Sequence, residues 1–165
     1  MIAAPLGLLS LALALLLGGA STATALEVVA SSSSTGMLVR EVAGDRARLT
    51  VLAPPSRDLH YVQVKPSMIR ALRRADLVTL LGAELEVGWL PAAISSAANP
   101  KILPGRSGYF EAAAQVTLLD VGLPADRALG DVHPAGNPHL NMDPVRMAQV
   151  GQALAERLGQ FDPAG

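Results

Sequence analysis

What most constrains this chain is an alternation of β-rich and helical segments that begins at Leu26. Leu26-Glu27-Val28-Val29-Ala30 reads as a strand, β-branched at its centre and followed by serines. Thr35 to Ala43 reads as a helix, with Leu38 and Val42 one turn apart and Gly44 as its stop. Arg48 to Leu52 is the next strand, closed by Pro54-Pro55. Strand, helix, strand at this spacing is a βαβ unit, which requires parallel strands. Pro66-Ser67 opens a second helix reaching about Ala75, with Met68, Ile69 and Leu72 on one side and Arg70, Arg73 and Arg74 on the other. Asp76 to Leu81 is a third strand stopped by Gly82. Leu85 to Ala97 reads as a helix with Pro91 inside it, so a kink or two short pieces are expected. Val116 to Asp120 is the predicted fourth strand, and Pro144 to Leu158 the last helix, striped by Met147, Val150, Leu154 and Leu158. The expected class is α/β, a four-stranded parallel sheet flanked by helices.

The chain has three histidines, and this order of elements relates them. His60 lies in the Pro-rich loop after the second strand. His133 and His139 share the loop Gly130 to Pro144, too rich in Pro and Gly for a helix or a central strand. That loop ends in Asp143-Pro144, an N-cap followed by proline at the first helical position. Ligands of open α/β sheets bind beyond the carboxyl ends of the strands. His60 and His139 both fall on that rim, which makes them candidate ligands of one metal ion. His133 is secondary to them and stays open between a ligand, a flexible loop contact and a plain surface position. Asp58 and Asp131 are open between turn residues and acceptors that orient an imidazole. Trp89 reads as core. No H-E-x-x-H, G-x-S-x-G or cysteine nucleophile is present, so catalysis has little support.

Composition narrows the partners. A net charge of −1 with pI near 6.3 gives nucleic acid no electrostatic attraction. With no cysteine there is no thiolate, so a metal would be held through nitrogen and oxygen, which suits zinc or manganese. Half of the residues are hydrophobic, partly because of the run Ala4 to Leu17. That run is short for a membrane span and is followed by Ala23-Thr24-Ala25, an A-x-A cleavage pattern, although Met1 to Ser10 lacks Lys and Arg. Residues 1–25 are read as a signal peptide and Leu26 as the mature start, which implies export to the periplasm.

From Leu26 onward the chain resembles the periplasmic metal-binding proteins of zinc and manganese ABC transporters, the cluster A-I or zinc-uptake type. The resemblance rests on Asp58-Leu59-His60-Tyr61 leading to Pro66-Ser67 before a helix, on Ala75-Asp76-Leu77-Val78 with Gly82, Glu86 and Trp89, and on Gly130 to Pro144, which matches G-D-x-H-P-x-G-N-P-H and a following D-P pair. Val64 stands where many relatives have proline, and Leu140-Asn141-Met142 replaces an aromatic-rich segment. The resemblance implies His60 and His139 as metal ligands, Zn(II) first and Mn(II) second as the transported ion, and a membrane permease as partner. It implies two lobes with the metal between them. Residues 26–165 then correspond to the N-terminal lobe, and the remaining ligands, a histidine or glutamate and an aspartate, belong to the other. Two rival classes use the same residues differently: a metal-dependent hydrolase with a bound water, and an adhesin-like interaction module without metal.

Overall fold

The structure is a computed structural model that describes residues 25–122 and 132–163. The leader, except for Ala25, and Asp131 lie outside the described residues. Four strands, β1 (Leu26–Ala30), β2 (Ala47–Val51), β3 (Leu77–Leu80) and β4 (Tyr109–Glu111), form one sheet in the order β2-β1-β3-β4, and every pairing is parallel. The helices are α1 (Ser33–Ala43), α2 (Pro66–Arg74), α3 (Leu90–Ala97) and α4 (Pro144–Gly159). The α/β class and the four-stranded parallel sheet are therefore as expected.

Side-chain alternation divides the core into two layers. Val28, Leu77 and Phe110 pack with Leu38, Val39, Met147, Val150, Leu154 and Leu158 of α1 and α4. Val29, Val78 and Leu80 face the other way, onto Leu72, Trp89, Leu90 and Ile94 of α2, α3 and the turn before it. The central β3 is buried along its whole length, as expected of a strand covered on both faces. The chain steps from β1 to β2 on one side and then crosses to β3 on the other. The crevice that such a reversal opens lies at the carboxyl ends of β1 and β3.

Two expectations need correction. The fourth strand is Tyr109–Glu111, not Val116 to Asp120. The chain reaches β3 through Gly108, whose carbonyl accepts from Val78 N–H at 2.8 Å and whose missing Cβ leaves room for the backbone of Asp76 and Lys101. Val116 and Leu118 are apolar because they pack against the core from outside the sheet. Pro91 does not kink a long helix. It sits in the first turn of α3, where a missing N–H costs no hydrogen bond, and residues 84–89 form turns before it. The starts of α2 and α4 follow the sequence: Pro66 opens α2, and Asp143 caps α4 through Val145 and Arg146. Helix α1 begins earlier than expected, at Ser33, because the Ser32 side chain accepts from Thr35 N–H and caps it.

Glu86 ties the rim together. This buried carboxylate accepts from the Ser31 hydroxyl at 2.7 Å, from Leu81 N–H at 2.9 Å and from Gly82 N–H at 3.0 Å, so it joins the ends of β1 and β3. Three residues in a row, Gly82, Ala83 and Glu84, have positive φ. A second carboxylate, Glu111, accepts from Ala83 N–H at 3.1 Å. The two carboxylates hold a turn that two non-glycine residues would otherwise disfavour.

Candidate metal centre

The loop after β2 and the loop before α4 meet above this rim. Each delivers a histidine by the same local device. Asp58 Oδ1 accepts from the backbone N–H of His60 at 2.9 Å, and Asn137 Oδ1 accepts from that of His139 at 3.0 Å. Both are side-chain turns made by a residue two positions ahead of the histidine. The first loop is anchored from below: the Trp89 indole N–H donates to the Leu59 carbonyl at 2.7 Å, and Gly88 leaves space for the His60 carbonyl. The second loop is tied to the stretch that does not join the sheet. Asn137 N–H donates to the Leu119 carbonyl at 2.8 Å, and the Asn137 side chain donates to Asp120 at 3.2 Å. Arg146 pairs with Asp143 and donates to the Thr117 carbonyl, joining the α4 cap to the same strap.

His60, His133 and His139 each offer a ring nitrogen, and the three nitrogens lie within 4.8 Å of one another. Ring centroids are 5.2 Å apart for His60 and His133, 6.0 Å for His60 and His139, and 5.9 Å for His133 and His139. His60 and His133 are partly buried and His139 is exposed. The sequence-derived pair is thus brought together, and His133 joins it. Asp58 Oδ1 also accepts from His60 Nδ1 at 2.7 Å, which fixes the tautomer and turns Nε2 toward the cluster. The backbone N–H and then the ring of His60 hold the Asp58 carboxyl below the usual carboxylate range. Trp89 and Glu86 were legible only as core and as part of a family motif; the order D-x-H and N-x-H was the sequence signal for the two turns.

An apolar cavity of about 360 Å³, lined in part by Leu80, Val87, Leu90, Ile94 and Leu103, opens at the same rim but includes none of the histidines. Burial, then the charges of Glu111 and Glu86, push the phenol of Tyr109 in its wall up to about 12. Among the described residues no helix is long and apolar enough to cross a membrane.

Imidazole nitrogens gathered beyond the strand ends of a parallel sheet form a donor set fit for a divalent transition metal. The chain belongs to the ZnuA family, the periplasmic component A of the zinc-uptake complex, whose family model matches residues 28–165. It is 24% identical over 142 residues to the metal ABC transporter substrate-binding lipoprotein ScbA of Streptococcus cristatus, covering 84% of this chain and 43% of that protein. It is 37% identical over 90 residues to the high-affinity zinc uptake system protein ZnuA of Paracoccus denitrificans, covering 53% of this chain and 27% of that one. The fold matches the substrate-binding protein FpvC of Pseudomonas aeruginosa in complex with Mn2+, with a TM-score of 0.67 at 24% identity over 85% of this chain and 48% of that chain. A zinc-bound ZnuA deletion mutant gives 0.66 at 22%, with the same coverage. The chain spans less than half the length of these relatives. They are named for uptake and substrate binding, not for catalysis.

Proposed function

We propose that residues 26–165 act as the N-terminal lobe of an extracytoplasmic substrate-binding protein, which captures Zn(II) or Mn(II) through His60 and His139 and delivers it to the membrane permease of an ABC importer. The observation that carries this reading is the meeting of two histidines 79 positions apart in sequence, each set by its own side-chain turn, at the crevice where such sheets bind ligands. The family and its relatives support a divalent metal as cargo. Export through a cleaved leader over 1–25 fits the same reading. So does a binding protein that recruits further ligands from a second lobe, because zinc usually takes about four donors.

Calorimetric titration with zinc and manganese tests it. His60→Ala and His139→Ala should each lower affinity by about tenfold or more, with melting curves unchanged, because both residues lie on loops outside the core. Metal affinity that neither replacement alters would overturn the reading, and metal-dependent hydrolysis lost in His139→Ala would move the chain to the enzyme class.

A further inference from the structure

The Nε2 atoms of His60 and His133 are 3.1 Å apart, within hydrogen-bond distance and close to the spacing of two donors on one ion. Around a tetrahedral zinc with Zn–N of about 2.0–2.1 Å, neighbouring donor nitrogens lie about 3.3 Å apart. Nδ1 of His60 is committed to Asp58, so the atom that meets His133 is the one His60 has left for a metal. The two rings lie nearly parallel, at 25°, with their Nε2 atoms side by side, while His139 stands edge-on to His133 at 80°. One turn sets both rings of the second loop. Gly136 N–H donates to the His133 carbonyl at 3.0 Å, and Gly136 has a φ of +119° with Leu118 pressed against its open side. A side chain there would be strained and crowded, and the spacing of His133 from His139 would change.

Resting on the metal-binding reading above, we infer that His133 is a third nitrogen ligand of the same ion, so that this lobe alone presents a three-imidazole face that takes zinc in preference to manganese. Three neutral imidazoles suit a borderline ion, whereas manganese favours carboxylate and other oxygen donors. Among the described residues, the carboxylate bonded to the cluster is Asp58, which is turned to His60.

With three histidines in the chain, each ring can be followed by long-range ¹H–¹⁵N NMR of the unmodified protein as zinc is added. The expected result is that the Nε2 signals of His60 and His133 and a ring-nitrogen signal of His139 all move and reach their end points together at one equivalent. Competition between zinc and manganese gives a second readout: His133→Ala should narrow the preference for zinc by about tenfold or more. If His60 and His139 move while His133 stays in place, and the zinc preference of His133→Ala is unchanged, the third ligand is wrong and the metal-binding reading stands. If none of the rings moves, both fail. The NMR titration needs no variant, so a folding defect in His133→Ala leaves the decision intact.

Discussion

The indole of Trp89 donates to the carbonyl of Leu59, the residue immediately before His60, at 2.7 Å. Trp89 is itself 3% exposed and packed among Val29, Val78 and Leu90, so the position of the His60 loop is referred directly to the core. Trp89→Phe keeps most of the apolar volume but strands the Leu59 carbonyl. The expected cost is about 1–2 kcal/mol of stability, together with a several-fold loss of zinc affinity. Thermal melts beside zinc calorimetry check this, and a shifted melt with unaltered affinity would show that the tether does not serve the site.

Asp58 orients His60 through one oxygen that accepts from both its backbone and its ring. Asp58→Asn should weaken zinc binding by about 10- to 100-fold, the usual cost of losing a partner that orients a ligand. The pH dependence has a definite sign. The Asp58 carboxyl is held below its ordinary value of 3.8 by those two donors. Its contribution is therefore complete above that value and is lost as pH falls through the lower folded one. Between pH 8 and 5 the deficit of Asp58→Asn relative to the natural protein should stay constant. Binding by both should fade toward pH 5, because only neutral imidazole ligates. A deficit that vanished by pH 6 would contradict the assignment.

How much of this was written in the sequence depends on the length of the signal. The starts of α2 and α4 are legible because Pro66 and Asp143-Pro144 fix local geometry whatever packs around them, whereas the start of α3 at Pro91 is masked by the apolar turns before it. Strand β4 was not, because three residues carry too little pattern. Val116 to Asp120 has the stronger β composition but serves as a strap, and its pairing partner is the loop around Asn137. The meeting of His60 and His139 was nevertheless derivable, since it depends on the order of elements and not on which residues close the sheet. His133 ranks below the other two in the sequence, because its place depends on the turn at Gly136, whose φ of +119° is invisible in composition.

At the α4 cap, Asp143 accepts from Val145 and Arg146 N–H and pairs with the Arg146 guanidinium. Asp143→Ala should lower the melting temperature by roughly 3–5 °C at pH 7. The carboxyl is held low chiefly by the Arg146 N–H. The stabilisation is present above the ordinary value of 3.8 and disappears as pH falls through the folded one. Melts of the two proteins should therefore converge as pH falls well below 3.8, and a gap that persisted in acid would point to something other than the charge.

Glu86→Gln tests the rim. Glutamine keeps the shape but offers one acceptor oxygen in place of two, while Ser31, Leu81 and Gly82 all donate to this side chain. At least one backbone N–H then faces an amide N–H₂. Chemical denaturation should show a loss of about 1–3 kcal/mol. Hydrogen exchange should speed up first at Leu81 and Gly82, and uniform acceleration across the sheet would count against a local role.

The two histidine loops differ in what they are fastened to. His60 is moored through Trp89 to the buried interior, whereas His133 and His139 ride on an arm lashed at Leu119 and Asp120 to a strap outside the sheet. On the proposed reading, an ion shared between them would be a clasp across 73 positions of a chain that has no sulfur bridge. Unfastening it asks the arm to yield and leaves the moored side in place. Releasing a bound ion and keeping the fold would then fall to different parts of one small molecule.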